Sequence, residues 1–249
     1  MNKLPISAVL ITKNEEKNIE RVLGSLNFCA EIIVIDSGST DNTVNLAKTY
    51  GAKVTVTKDW PGFGPQKNRA LKQASQEWFL SIDADEWVTP ELAQAIQSHL
   101  TKDTPAKILR RSSFCGKVMR FSGWGDDWVT RLAKVGTAHF SDDLVHERLI
   151  TNQNATAIQG TLGHESFIDL NQVLEKISHY SELWATQSHT KGKRVSIPII
   201  ALKTFAAFFK TYILKQGFRD GSHGFLLSFT NAHGTFYKYS KLWLKNREN

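Results

Sequence analysis

The chain has 249 residues, 41% of them apolar, enough for one large domain, or one domain with an appended segment, around a sizeable core. Its 31 Lys and Arg outnumber 24 Asp and Glu, and the net charge of +7 suits an anionic partner: nucleic acid, an acidic membrane surface or a phosphorylated substrate. Two cysteines, Cys29 and Cys115, exclude a disulfide framework and a zinc-ligand spacing, the N-terminus shows no signal-peptide pattern, and no run approaches the ~18 to 20 apolar residues of a membrane span.

Residues 6–11 form a short apolar, β-branched run that meets Thr12-Lys13-Asn14-Glu15-Glu16 at once, the pattern of a buried parallel strand leading into a helix. Ile19, Val22, Leu23 and Leu26 recur at helical spacing, so that helix is expected to end near Asn27. Residues 31–36 are a second buried strand that delivers Asp36 to its carboxyl end. The loop Ser37-Gly38-Ser39-Thr40-Asp41 supplies capping types for a helix over 42–50, and Gly51 suits its C-terminus. A third strand over 53–57 completes a βαβ rhythm.

Residues 60–65 read as a rigid, irregular stretch. Gln66-Lys67-Asn68-Arg69 then enters a helix through Ala70, Leu71 and Ala74, either as an anion site at a helix start or as a surface loop with solvated charges. The strand 78–82 ends in Asp83-Ala84-Asp85-Glu86. Acids at the carboxyl edge of a sheet lie where open α/β folds bind ligands, and hard divalent cations share one or two carboxylates with substrate phosphates. Acids also cap helices, but Thr89-Pro90-Glu91 starts the next helix, which reaches about Leu100, without them.

Between Ala106 and Thr161 the pattern changes to short strands with polar insertions, at 108–111, 117–121, 129–133 and 155–159, and reads as antiparallel and loop-rich. The acidic clusters Asp126-Asp127 and Asp142-Asp143 and the run Val145-His146-Glu147 lie within it. From about Leu170, the residues Val173, Leu174, Ile177, Tyr180, Leu183 and Trp184 follow a helical stripe, which Lys191-Gly192-Lys193-Arg194 interrupts. Residues 197–209, continuing to Phe218, are apolar and aromatic, punctuated by Lys203 and Lys210. This segment either lies in a membrane interface, as the basic cluster before it favours, or packs on the domain with its lysines outward. Gly217, Gly221, Gly224 and Gly234 are expected to divide the remainder into several short helices. A lone His such as His139 or His233 is more often structural than a ligand, and His164 is kept as a metal or phosphate neighbour. No helix-turn-helix, zinc-finger or RNA-binding signature is present, so nucleic acid is not an expected partner.

Thr12-Lys13-Asn14-Glu15, the loop from Asp36 to Asp41, and Asp83-Ala84-Asp85 place polar groups on one edge of one sheet. With Gly62-Phe63-Gly64-Pro65-Gln66-Lys67-Asn68 and Ile82-Asp83-Ala84-Asp85-Glu86-Trp87, the chain resembles the family 2 glycosyltransferases of the GT-A fold over residues 5–147. Within that family it is most similar to bacterial lipopolysaccharide core β-1,4-glucosyltransferases. The resemblance implies an α/β, Rossmann-like GT-A fold with a mostly parallel nucleotide-binding sheet and a helical C-terminal extension. Residues 1–165 would be the glycosyltransferase domain, with 1–100 facing the nucleotide sugar and 101–165 the acceptor, and 166–249 a helical region available for membrane-surface attachment.

The activity implied is an inverting, metal-dependent transfer of a sugar, glucose from UDP-glucose, in β linkage to a lipopolysaccharide inner-core heptose. The same chemistry on another lipid-linked or capsular glycan is the alternative, and a non-catalytic sugar-nucleotide or membrane-surface binding protein is the alternative of a different class. By the same resemblance Thr12, Asn14, Glu15, Ser37 and Gly38 would line the nucleotide pocket, and Asp36 would hydrogen-bond the uracil or its ribose. Lys67 and Asn68 would lie near the ribose and diphosphate, Asp83 would approach the ribose, and Asp85, with His164 as a further candidate, would ligate Mg²⁺ or Mn²⁺. The Glu-Asp pair that serves as base in many relatives is absent in its usual form. Glu147, tuned by His146, is the first candidate for the general base and Asp127 the second; an ordinary surface ion pair for Glu147 stays open. The expected location is cytoplasmic, peripheral on the inner membrane through anionic lipid.

Overall fold

The computed structural model describes residues 3–142 and 147–247. Asp143, Val145 and His146 lie outside the described residues, and with them the expected tuning of Glu147 by His146. Contacts divide the chain into two units: residues up to Arg110 with those from Asp127 to His164, and residues from Arg111 to Asp126 with those from Glu165 onward. The inclusion of 111–126 in the second unit goes beyond the single break after residue 165 drawn from the sequence.

The first unit opens with β1 (Leu4–Thr12), α1 (Glu16–Ser25), β2 (Cys29–Asp36), α2 (Thr43–Thr49), β3 (Lys53–Val56), α3 (Phe63–Leu71) and β4 (Trp78–Ser81). A three-residue strand β5 (Glu86–Val88), too short for its periodicity to be read from sequence, precedes α4 (Pro90–His99). Next come β6 (Ala106–Phe114), whose end enters the second unit, and β7 (Lys117–Val118) within that unit. The first unit resumes with β8 (Asp127–Lys134), β9 (Ala138–Phe140), β10 (Leu149–Thr151) and β11 (Thr156–Phe167), the last again running on into the second unit. The strand order is β3-β2-β1-β4-β8-β6-β11-β5, with β9 and β10 forming a separate antiparallel pair.

β3, β2, β1 and β4 are mutually parallel, whereas β8 is antiparallel to β4 and to β6, and β5 to β11. Side chains of the parallel strands alternate between two buried faces. Ile6, Ala8, Leu10, Val34 and Leu80 pack with α1 and α4 residues such as Ile19, Leu23 and Leu92, while Val9, Ile11, Ile33 and Phe79 pack with Ala70 of α3. Burial on both faces is why β1 and β2 read as unbroken apolar runs rather than alternating ones.

In the second unit α5 (Leu170–Thr190), α6 (Ile197–Phe209) and α7 (Gly221–Lys245) are joined by a π turn, Lys210–Leu214, and a 3₁₀ turn, Gly217–Asp220. The glycines do not break the C-terminal part into short helices: α7 is one helix of 25 residues. A Cβ on Gly224 would lie 1.8 Å from the Gly217 carbonyl oxygen, so this glycine serves a close backbone approach and not a break. The buried Asp220 carboxylate accepts from the amides of Arg120 and Phe121, both at 3.0 Å, and from Ser122 Oγ at 2.9 Å, which ties 120–122 to the start of α7. A second expectation is also corrected. Ile197–Leu214 is an 18-residue helical stretch of mean hydropathy 1.5, long and apolar enough for a span by length and composition alone. Lys203 and Lys210 disguise it in sequence by cutting the apolar run while the helix continues through them.

Glu31 on β2 is a carboxylate with 4% of its side chain exposed. It accepts from Ser7 Oγ at 2.5 Å, Lys53 Nζ at 2.5 Å, and the amide and hydroxyl of Ser75, each at 3.0 Å. Burial pushes its carboxyl up, but these hydrogen bonds outweigh it and hold the group at about 2. A depressed carboxyl contributes its stability in full above its unfolded value and loses it as pH falls through the folded one. Glu31→Gln should therefore cost about 3 kcal/mol at pH 7, and its deficit against wild type should narrow as pH falls from about 4.5 toward 2. Urea unfolding at pH 7 and about pH 3 measures both.

Candidate functional site

Parallel β1, β2 and β4 bring their carboxyl ends to one edge of the sheet, where loops of such folds form ligand sites. The register sets Thr12 opposite Asp36, and Thr12 Oγ1 donates to Asp36 Oδ2 at 3.0 Å. Asp36 is fully buried and also accepts from the amides of Gly38 at 3.0 Å and Ser39 at 2.8 Å and from Ser39 Oγ at 2.5 Å. Gly38, at φ +80°, lets the loop fold back onto that one carboxylate. The resemblance implied a direct bond from Asp36 to a base or ribose; here its oxygens already accept four hydrogen bonds from the protein.

The loops after β1 and β2 are joined. Asn14, itself left-handed at φ +56°, accepts from the Thr40 amide at 2.8 Å and donates its own amide to Ser39 Oγ at 2.8 Å. The Glu15 amide donates to Thr43 Oγ1 at 2.8 Å. Gln66, given no role of its own by the sequence, is fully buried and donates to Ser37 Oγ at 3.0 Å and Thr57 Oγ1 at 2.7 Å, fastening α3 to the same wall.

On α3 a Cβ at Gly64 would lie 1.9 Å from the Ser141 carbonyl oxygen, so glycine there admits the chain that follows β9. Asn68 spends its whole side-chain amide on Phe140, donating to its carbonyl at 2.9 Å and accepting from its amide at 2.8 Å. It thus helps hold β9 in place, next to Lys67 on α3. Lys67 is buried, with Nζ 2.6 Å from Asp83 Oδ1 and 2.7 Å from Glu147 Oε1.

Asp83 Oδ2 lies 2.5 Å from Arg131 Nη2, which lies 2.6 Å from Glu86 Oε1. Arg110 continues the chain, its Nη1 3.1 Å from Glu86 Oε1 and its Nε 2.8 Å from Asp127 Oδ2. Glu86 Oε2 accepts the Asp83 amide at 3.0 Å, closing the turn after β4. Burial by itself would raise the Asp83 carboxyl, but the charges of Arg131 and Lys67 outweigh it and hold the group well below the usual carboxylate range. Arg131 is held above its ordinary value despite burial, through Asp83 and Glu86. Arg110 and Arg131 were also missed; the available signal was a charged side chain within otherwise apolar strand runs. Both base candidates, Glu147 and Asp127, are ion-paired members of this network.

The antiparallel register sets His164 opposite Glu86, and His164 Nε2 lies 3.3 Å from Asp85 Oδ2. The two residues named for a metal are therefore neighbours, though 79 positions apart in sequence. Among the described residues no group of three or more His, Cys, Asp and Glu is gathered for a metal. The Asp85 carboxylate suits a hard divalent cation whose remaining positions are filled by phosphate oxygens and water, whereas the imidazole nitrogen is a softer donor that Mg²⁺ seldom takes.

The sequence profile described as "Glycosyl transferase family 2" matches residues 7–152. An "Uncharacterized glycosyltransferase" of Rickettsia bellii is 31% identical over 256 aligned residues, covering 95% of this chain and 85% of that protein. The "Lipopolysaccharide core biosynthesis glycosyltransferase LpsC" of Rhizobium meliloti is 30% identical over 253 residues, covering 98% of this chain and 94% of that protein. Among solved structures, glucosyl-3-phosphoglycerate synthase of Mycobacterium tuberculosis, crystallised with Mn²⁺, UDP and glucosyl-3-phosphoglycerate, is 31% identical with a TM-score of 0.36. That match covers 45% of this chain and 44% of the other.

Glu86 is fully buried and is the anion that Arg110 and Arg131 share. Glu86→Gln removes the charge both arginines share but leaves Arg131 with Asp83 and Arg110 with Asp127, so it should lower stability by about 3 kcal/mol, the lower end for a broken buried pair. Chemical denaturation reads this directly; a midpoint equal to wild type would show that the two arginines do not depend on Glu86.

Proposed function

The chain belongs to glycosyl transferase family 2, and from that membership we propose that it transfers glucose from UDP-glucose, with inversion, onto a lipopolysaccharide inner-core heptose. The observation that carries this reading is the gathering at one sheet edge of Asp83, the Asp85–His164 pair, and Glu147 one ion pair away across Lys67. The lipopolysaccharide acceptor is supported by the Rhizobium meliloti relative, whose name assigns it to core biosynthesis and which aligns over nearly its whole length. Another lipid-linked or capsular glycan is the second acceptor class. A lipid-borne acceptor is consistent with a cytoplasmic enzyme held peripherally at the inner-membrane surface.

In this reading the joined loops bearing Thr12, Asn14, Glu15, Ser37 and Gly38 form the nucleoside wall, with Asp36 as its internal brace. Asp83 retains 28% side-chain exposure and its charge, and so can accept from a ribose hydroxyl. Asp85 and His164 would hold Mg²⁺ or Mn²⁺, which when bound neutralises charge that develops on the leaving diphosphate. Lys67 lies between Asp83 and Glu147, and a diphosphate arriving beside it competes with Glu147 for the ammonium. The carboxylate so released takes the acceptor hydroxyl proton on the face opposite the leaving group. Direct displacement of the α-linked donor then gives a β-glycoside.

UDP release from UDP-glucose in the presence of purified core acceptor tests the reading. Turnover should require acceptor and divalent metal and should fall sharply in Asp85→Asn. Glu147→Gln should lose about 10²- to 10⁴-fold in kcat, the usual worth of a general base, with a smaller loss in Asp127→Asn. The reverse order would transfer the base role to Asp127, and metal-independent turnover would remove the role given to Asp85. Donor binding with no turnover on any core or capsular acceptor would leave the chain a sugar-nucleotide binding protein.

A further inference from the structure

The second unit carries a surface that the transfer chemistry does not use. Residues 183–249 contain eleven Lys and Arg against two acids, Asp220 and Glu248, for a net +9. Residues 1–182 contain 20 Lys and Arg against 22 Asp and Glu, for a net −2, so the positive excess of the whole chain lies in this region.

Within it, only 11% of the residues of Ile197–Leu214 are buried. Ile200 and Thr211 are its buried residues. At 100° per residue they share one side with Ala207, and Thr211 Oγ1 accepts from Asn231 of α7 at 3.3 Å. The opposite side carries Leu202, Phe205, Phe209 and Ile213, all exposed, Leu202 by 69% and Phe205 by 75%. Lys203 and Lys210 fall along one border of that stripe. Leu170 and Leu174 of α5 with Phe225, Leu226 and Phe229 of α7 line an apolar groove of about 330 Å³. Phe225 and Phe229 also meet Phe208 of α6, at 5.8 and 6.1 Å between ring centres, so groove and helix adjoin.

We propose that this surface docks on an anionic lipid bilayer. α6 lies in the headgroup–acyl boundary with Leu202, Phe205, Phe209 and Ile213 inserted, and the surrounding cations contact lipid phosphates. The charge decides between occupants: two copies of a surface drawn from so cationic a segment repel each other, whereas anionic headgroups attract it. Packing of α6 along α7, with Lys203 and Lys210 at the border of its apolar stripe, favours a helix lying in the boundary over one crossing the bilayer. The inference rests on the proposed function only in that a lipid-borne acceptor gives such a surface its use.

The test is flotation of the full chain with vesicles of mixed phosphatidylglycerol and phosphatidylcholine, and with phosphatidylcholine alone. Binding is expected to the anionic vesicles only, and to weaken by ~10-fold as salt rises to about 0.5 M. Leu202→Glu with Phe209→Glu should reduce the bound fraction by ~10-fold while UDP release with a detergent-dispersed acceptor stays at the wild-type rate. Because both positions face outward, folding is not at stake. Lys191→Gln with Lys193→Gln and Arg194→Gln supplies a second variant that removes charge alone, and it too should weaken binding. The proposal is overturned if wild type ignores anionic vesicles, or if both variants bind as wild type does. A solution dimer abolished by Leu202→Glu with Phe209→Glu would assign the surface to a second copy, and binding that resists salt and alkaline carbonate would indicate a crossing helix; either overturns it. Wild-type chain that releases UDP but ignores anionic vesicles removes the docking inference alone, and wild-type chain that binds the vesicles without releasing UDP removes the transfer reading alone.

Discussion

The carboxylate of Asp83 sits between two cations, Lys67 and Arg131, and each of those cations holds a second anion, Glu147 or Glu86. With Arg110 and Asp127 the path runs through seven side chains of alternating sign. Taking these charges from water is costly, and their mutual attraction offsets that cost only while every member is present. The members come from α3, the turn after β4, the start of β5, β6, β8 and the chain before β10. A wrong strand order would strand several of them unpaired, so the network rewards one arrangement of the sheet. It also sets the electrostatic starting point of the site: one cation, Lys67, already bridges the acid assigned to the nucleoside and the acid assigned to the acceptor.

Residues proposed to meet substrate and residues that hold the site in shape are largely separate. Asp36, Asn68 and Gln66 turn their polar atoms toward protein, bracing the loop after β2, strand β9 and helix α3. Asp83, Asp85 and His164 keep part of their side chains open to solvent. A site raised on strand ends and braced from behind is held more closely than one carried by free loops.

Much of the first unit was legible in the sequence because its physics is local. Apolar runs of strand length, each followed by capping and turn residues, gave β1 to β4 and the three loops at their carboxyl ends. The acids after β4 were readable because Thr89 and Pro90 already accounted for the next helix start. Arg110 and Arg131 were not, since a charge in a strand is explained only by partners 45 and 48 positions away for Arg131 and 17 and 24 for Arg110. β5 escaped because three residues carry no period, and with it went the reason His164 stands by Asp85. In α7 the cost of a helical glycine, about 1 kcal/mol relative to alanine, argued for a break. The close approach of Gly224 to the Gly217 carbonyl, a tertiary matter, decides otherwise.

The register of β5 against β11 sets Glu86 opposite His164, and α3 meets the segment before β10 through the Lys67–Glu147 contact. These partners are separated by 78 and 80 residues, so neither contact can be made by neighbouring chain. Closing loops of that length is entropically expensive and slow compared with forming a helix or a βα turn. The walls that would face a nucleoside consist of local βαβ contacts, whereas the cation pair and the base complete themselves only when the antiparallel half has docked. A shaped nucleoside wall on that account needs only neighbouring chain, whereas the acids and the imidazole set beside it are brought there by the longer-range contacts of the sheet.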